Sequence, residues 1–436
     1  MGRAMDRAYN RVDLVVGLLA VLAGLSLGFA YYIRLWELDA DGLSVNLQKL
    51  PYWDFTNLWA GGLLASKGSV AVIFDVDAYR TFLRELISPR LADQEWSYPP
   101  SVLLVGVPLA QLPIFAAYVV WTVGSIVALN FALKPLAMPT LAHAACLLSP
   151  SGFTNLLLGQ NGAFTAALLI GGLLIVYSRP ILAGVFFGIL TMKPHLGLLI
   201  PICLVASGSY RAFVSAAVTA VLLFLATGIA FGFDVWSLFM GKTAPLMSSI
   251  LEAPYPQTYH AHAITVFVMA RWAGLGVGGA YAVQALALAC CAVTVAWLWR
   301  PANPMDHGKR VCITTTLAIV ASPYGYSYDT IPVCVTAAFL FVTERRLNKI
   351  VLALIWIFPL FIHQINYHGI GIAILAPIFL VVYALLASER RATSASPEPA
   401  KASAAPPAQS SGSVPCAGSG RRGGGSARCF DAGSSG

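Results

Sequence analysis

The sequence predicts an all-α integral membrane protein, a polytopic bundle of about ten to twelve transmembrane helices with a long first extracytoplasmic loop carrying amphipathic surface helices. Three observations carry this. The 436 residues are 58% hydrophobic and only 11% charged, with a mean hydropathy of +0.74. A soluble domain carries about 25% charged residues, so this chain cannot coat a water-exposed surface. Apolar runs of spanning or near-spanning length recur from residue 12 to residue 387. Lys and Arg gather in the short connections between those runs, which makes the net charge of +8 a topology signal rather than a nucleic-acid one. Collagen-like, coiled-coil and small disulfide-rich classes are excluded for the chain as a whole.

The first apolar run, residues 12–33, follows Arg3, Arg7 and Arg11 and is long enough to cross a bilayer core of about 30 Å. It exceeds the roughly 7–15 residues of a signal-peptide core, and Arg34 follows without a small-residue cleavage site, so it reads as a retained helix. Residues 34–99 form the longest polar stretch and concentrate the acidic residues, with Glu37, Asp39, Asp41, Asp54, Asp75, Asp77, Glu85, Asp93 and Glu95. Within it, residues 55–66 place Phe55, Leu58, Trp59 and Leu63 at helical spacing, with Gly68 as a stop, and a second amphipathic segment runs from Asp77 to Ile87. Residues 101–112 are apolar but short for a span, and a full crossing there would reverse every later basic loop. A re-entrant or interfacial hairpin is expected. Apolar runs then occupy roughly 114–133, 139–150, 162–177, 181–192, 195–207, 211–231, 278–299, 311–321, 330–343, 349–362 and 369–387, with ends uncertain by about 2–4 residues. Several are too short for a straight span, so tilted or broken helices are expected. Residues 1–391 form the expected membrane domain. Beyond it, residues 392–436 turn Ala/Pro/Ser/Gly-rich and cannot bury enough apolar surface to fold, which predicts a disordered cytoplasmic tail.

Lys134, Arg179, Arg211, Arg300, Lys309, Arg310, Arg345, Arg346, Lys349, Arg390 and Arg391 all fall in short connections. If these and both termini are cytoplasmic, the inner side holds 18 Lys/Arg against 7 Asp/Glu and the remainder 9 against 12, as the positive-inside rule requires. The plasma membrane, crossed many times, is the expected location. Of the 8 cysteines, none falls in an expected outer loop, and no Cys/His spacing suggests zinc. No cofactor and no metal site are expected.

The polar residues left near the helix ends form one set on the outer side: Asp54, Tyr98, Asn155, Gln160, Asn161, Lys193, His195, Tyr259, His260, His262, Tyr324, Tyr326, Asp329, His363, Asn366 and His368. One decorated face beneath a folded loop suits a site at the membrane boundary that takes a lipid substrate from the side. Asp54, just before the surface helix, is either a desolvated base or the N-cap of that helix. Lys193, in Lys193-Pro194-His195, breaks an apolar stretch; it either meets a phosphate or snorkels to the interface. Gly159-Gln160-Asn161-Gly162 offers amides suited to sugar hydroxyls or is simply a loop. His260 and His262 bind a phosphate or a metal, for which two imidazoles separated by one residue are weak evidence, or are solvated loop residues, the last being favoured.

Taken in order, Asp54-Phe55, Tyr98-Pro99-Pro100 followed by Pro108-Leu109 and Leu112-Pro113, Gly159-Gln160-Asn161, Lys193-Pro194-His195, and Ser322-Pro323 with Tyr326-Ser327-Tyr328-Asp329 resemble glycosyltransferase family 87. The resemblance covers residues 12 to about 387. It implies a fold of the GT-C superfamily, an extracytoplasmic site, and transfer of a sugar from a polyprenyl-phosphate carrier to a glycolipid or glycan acceptor. Mannose is the implied sugar, and arabinose also occurs in the family. Asp54 is then the first-loop carboxylate that serves as general base, with Lys193 facing the carrier phosphate and Tyr98, Gln160, Asn161, His195, His260, His262 and Asp329 around the substrates. Some mannosyltransferases of the family carry Trp-Ser-His-His where this chain has Tyr326-Ser327-Tyr328-Asp329, so an imidazole is missing there. Asp329 either caps the following helix or holds Lys193. A secondary transporter or lipid flippase, or a catalytically inactive relative, is the competing reading of the same helix pattern.

Overall fold

A computed structural model describes residues 11–394, and side chains for residues 11–387. Among these residues the regular structure is helical, with isolated β-bridges at Leu38–Ser44 and Ala263–Tyr326. The helices, in order, are α1 (Arg11–Tyr32), α2 (Trp53–Ser66), α3 (Val76–Leu86), α4 (Leu103–Leu109), α5 (Ile114–Leu133), α6 (Thr140–Leu147), α7 (Pro150–Leu158), α8 (Gly162–Ile175), α9 (Pro180–Ile189) and α10 (Ile200–Ala206). There follow α11 (Tyr210–Phe231), α12 (Asp234–Leu238), α13 (Ala244–Glu252), α14 (Val266–Trp272), α15 (Val277–Leu298), α16 (His307–Ala321), α17 (Ile331–Thr343), α18 (Lys349–Ile357), α19 (Ile362–Tyr367) and α20 (Leu375–Ser394). Among the described residues, five segments are long and apolar enough to cross a membrane: Arg11–Trp36, Ile114–Leu136, Tyr210–Phe231, Val277–Leu298 and Lys349–Tyr367. The pair α6–α7, bent by 42° at Ser149-Pro150, makes a sixth if counted as one span. Other apolar helices are 10–17 residues long. The expected ten to twelve crossings are therefore not all full-length helices, because prolines and glycines interrupt the apolar runs, as at Lys193-Pro194. Residues 392–394 continue α20, while residues 1–10 and 395–436, including nearly all of the expected tail, lie outside the described residues.

The polar stretch after α1 folds around two helices: α3 is amphipathic as expected, whereas α2, expected as an amphipathic surface helix, is buried on most of its sides because α4 and the loop cover it. α2 and α3 begin and end within two residues of the boundaries read from periodicity, and Gly68 takes the left-handed conformation (φ +71°) just beyond α2. Phe55, Tyr79 and Trp96 are almost fully buried in one cluster with Leu58, Leu64, Leu83 and Leu103. Burying each such side chain is worth roughly 1.5–3 kcal/mol. Arg80 pairs with Glu95, Arg84 with Asp93, and Arg90 with Asp41 (2.7 Å) and Asp39 (2.9 Å), closing the loop on itself.

Pro100–Leu109 is a ten-residue helical segment lying across α2. The two backbones touch where glycine faces glycine: a Cβ at Gly62 would collide with the Gly106 carbonyl. Trp59 Nε1 donates to Leu112 O (2.9 Å) at the exit of this segment. α5 then starts beside the end of α1, with Tyr118 stacked on Tyr52 (4.6 Å) and Trp36 packed on both. Residues 100–112 thus return to the end of the bundle from which they left. At the opposite end lie Lys134, Arg179, Arg300 and the buried pair Lys309–Glu344 (2.9 Å).

Candidate functional site

Asp54 is the second residue of α2, whose N-cap is Tyr52 with no side-chain cap. The N-cap reading is therefore incorrect: the helix begins two residues earlier than the carboxylate would need. The side chain is free to point away from the helix end, and it meets Gln160. Asp54 retains some accessible surface but is densely surrounded by protein, and this burial pushes its carboxyl up to about 7 against the opposing hydrogen bond from Gln160 and the charges of Lys49 and Lys193.

Gln160 reaches Asp54 through a turn that local chemistry builds. Ser149 caps α7 by accepting from Gly152 N (3.2 Å), with Pro150 at the first helical position. α7 ends at Gly159 in the left-handed conformation (φ +67°). A Cβ at Gly159 would lie 2.5 Å from Phe55 Cβ, so only glycine lets the turn close against the start of α2. From α5, Tyr118 Oη donates to Leu156 O (2.7 Å) and Trp121 Nε1 to Gly159 O (3.2 Å), fixing the turn from behind.

The next residue, Asn161, connects this turn to a buried ion pair. Lys193 Nζ donates to Asn161 Oδ1 (3.0 Å) and to Asp329 Oδ1 (2.5 Å), and lies 4.9 Å from the centre of the Tyr328 ring. Asp329 is only 2% exposed, and the side chain of Lys193 is 11% exposed. The snorkelling reading of Lys193 is accordingly incorrect. Of the two roles read for Asp329, holding Lys193 is the one observed. Its other oxygen accepts from Tyr326 N (3.3 Å) within its own turn, and Thr330 is the N-cap of α17. Burial raises the Asp329 carboxyl above its ordinary value although Lys193 opposes the shift. The turn is anchored to α7, where Asn155 Nδ2 (2.7 Å) and Ser151 Oγ (3.3 Å) donate to Tyr328 O.

Aromatic rings cluster near these charges. Tyr98, edge-on to Trp96 (5.3 Å), and Tyr259, edge-on to Tyr326 (5.6 Å), lie within electrostatic reach of Asp54. Tyr326 stacks on Tyr328 (5.4 Å). His195 lies beside Tyr324 (6.1 Å), and its Nε2 is buried with no hydrogen-bond partner.

The solvated-loop reading of the two histidines does not survive. His260 is 2% exposed, accepts from Gln257 N and lies 3.1 Å from Leu251 O, so it stabilises its own turn. His262 is half-buried, with Nδ1 3.3 Å from Ser327 Oγ and its ring 4.5 Å from that of His363. Tyr328, whose ring covers Lys193, escaped the sequence reading because an aromatic next to Asp329 carries no charge signal. Among the described residues no three His, Cys, Asp or Glu side chains assemble into a metal-ligand set.

A family model, glycosyltransferase family 87, matches residues 96–323, more than half of the chain. The matched region includes Tyr98, Gln160, Asn161, Lys193, His195, His260 and His262, while Asp54, Asp329 and His363 lie outside it. No curated protein and no solved structure matches the chain.

Proposed function

The chain belongs to glycosyltransferase family 87, and from that membership and the geometry around Asp54 we propose that it transfers a sugar, mannose in the first instance, from a polyprenyl-phosphate carrier to a hydroxyl of a glycolipid or glycan acceptor. Membrane glycosyl transfer follows from the family; the carrier, the sugar and the roles below are our reading. Asp54 Oδ takes the acceptor proton while the acceptor oxygen bonds to the anomeric carbon, and the bond from that carbon to the carrier phosphate oxygen breaks. The phosphate leaves with the electron pair. Lys193 has one N–H beyond those given to Asp329 and Asn161, and in this reading it meets the leaving phosphate. Gln160 orients Asp54, and Tyr98, Tyr259 and Tyr328 form walls for the sugar and its acceptor. The reaction takes place on the extracytoplasmic side, because Lys134, Arg179 and Arg300 lie at the opposite end of the bundle and basic residues stay inside. A transporter would account for the helices but not for membership in a transferase family.

The observation that carries this proposal is a carboxyl raised to about 7 beside Gln160 and within reach of a buried cation, since a base titrating near working pH is the most effective one. The test is sugar transfer by purified Asp54→Asn and Asp54→Ala variants in matched amounts, with a panel of polyprenyl-phosphate sugars as donors. Both variants are expected to lose about 10²–10⁴-fold in turnover while remaining folded, and polyprenyl-phosphate mannose is expected to be the best donor. Near-normal transfer by the Asn variant would remove Asp54 from the chemistry.

A further inference from the structure

A second polar cluster lies beside the Ser327–Asp329 turn and takes no part in the reaction proposed above. His262 comes from the turn Thr258–His262 and His363 from α19, and Asn366, one helical turn after His363, clamps the two together. Its Nδ2 donates to Ala261 O (3.2 Å) and Ala263 O (2.7 Å), the carbonyls on either side of His262. The two imidazole rings are 4.5 Å apart.

Each ring is fixed by a hydroxyl at Nδ1. Ser327 Oγ lies 3.3 Å from His262 Nδ1, and Tyr31 Oη lies 2.9 Å from His363 Nδ1, with the Gln364 side chain bonded to the same tyrosine. A hydroxyl can donate to each Nδ1, and we assign both rings the tautomer that this bond favours, with the proton on Nε2. Among the described residues neither Nε2 has an acceptor. Burial, assisted by the neighbouring ring, holds His262 far below its ordinary value, at about 3, so it acts as a neutral donor. Two paired donors without an acceptor call for a ligand rich in acceptor oxygens.

The depth of the pair identifies what carries those oxygens. Tyr31 and His363 lie at the adjoining ends of two membrane-spanning segments, Arg11–Trp36 and Lys349–Tyr367. Around them Ile33, Phe361, Tyr367 and Ile370 are exposed, an apolar rim that only lipid covers in a bilayer. Acceptor oxygens at that depth belong to lipid headgroups. We propose that His262 and His363 form a recognition site for the phosphodiester of a membrane lipid at the rim of the bundle, separate from the Lys193–Asp329 pair. The phosphodiester belongs either to an ordinary phospholipid or to a lipid-borne acceptor that presents its hydroxyl toward Asp54.

The test measures lipid retention, not sugar transfer, so its outcome is independent of the role of Asp54. Full-length protein in maltoside micelles is given phosphatidylglycerol, phosphatidylinositol or farnesyl phosphate, and bound lipid is counted by native mass spectrometry. The variant His262→Phe/His363→Phe keeps ring packing and removes both donors; it is expected to weaken retention of the diester lipids roughly tenfold or more and to leave farnesyl phosphate unchanged. His262→Gln/His363→Gln, whose amides still donate, is expected to retain part of the affinity and serves if the Phe variant does not fold. Preference for phosphatidylinositol in the wild type, lost in the variant, supports the site and favours a lipid-borne acceptor. Equal retention of both diesters, lost in the variant, supports it as a site for ordinary phospholipid. Unchanged diester retention by a folded variant overturns the proposal, as does loss of farnesyl phosphate alone. Retention of Zn²⁺ in place of lipid, abolished in the variant, also overturns it.

Discussion

An offset of two residues decides what Asp54 can do. As the N-cap it would spend an oxygen on its own helix; as the second residue of α2 it is available to Gln160 and to a substrate. Its raised pKa has two consequences with opposite slopes. The base role proposed for Asp54 needs the ionised form, so kcat/KM is expected to climb as pH rises through about 7 and level off above it. Stability runs the other way. Between the unfolded carboxylate value and about 7 the folded protein keeps a proton that the unfolded chain releases, so this group's contribution is largest below that window and is lost as pH rises across it. Thermal melts of Asp54→Asn should lack this component and show a higher midpoint than wild type at pH 8. Lys193 and Asp329 obey a different rule, because each neutralises the other out of water. Lys193→Ala or Asp329→Ala alone is expected to cost about 3–5 kcal/mol by stranding a buried charge, whereas Lys193→Met/Asp329→Leu should recover most of that stability and none of the activity. A double-mutant cycle read by denaturation checks it; additive losses would mean that the pair is not coupled. The sequence made it plain that Lys193 required a partner. It left open which one, since Asp329 lies 136 residues away and only tertiary structure brings it near.

At the scale of elements, legibility followed range. α3 is readable from its amphipathic period and the end of α2 from a glycine stop, signals that act within a few residues, whereas the burial of α2 on most of its sides depends on its neighbours. The crossing of Gly62 over Gly106 and the closure of Gly159 on Phe55 are contacts between elements, and neither has a local signature. Both are testable. Gly62→Ala forces the backbones of α2 and α4 apart and should cost about 1–3 kcal/mol, as overpacking does. Gly159→Ala combines a strained left-handed residue with the same kind of clash and displaces Gln160 from Asp54. It should therefore lower kcat beyond what its melting temperature predicts, and a variant that melts earlier but turns over normally once folded would show that Gln160 does not orient the base. The same distinction explains the misreading of His260 and His262. Residue type and spacing are alike for both, while their orientation depends on Leu251 in one case and on Ser327 and His363 in the other.

For the whole molecule, composition and charge segregation were enough to give an all-helical membrane bundle, but the number of full-length spans was not readable, because proline and glycine shorten helices whose apolar runs look continuous. The parity of the crossings depends on Pro100–Leu109, which leaves and returns to one end. Reporter fusions at Lys134, Arg179, Arg211, Lys309 and Arg346 are accordingly expected to read cytoplasmic, and those at Ser88 and Gln257 extracytoplasmic; an external signal at Lys134 would reverse the assignment of every later connection. The apolar cluster around Phe55, Tyr79 and Trp96 is also early in time. It draws mainly on residues 43–121, and a chain made from its N-terminus can bury these rings against α4 and α5 before Gln160, Lys193 or Asp329 has been synthesised. The nascent protein then carries its prospective base on a finished platform with no active surroundings, and the chemistry switches on only as the later helices arrive. Ribosome-bound chains that extend just past α5 should already resist protease cleavage between α2 and α3.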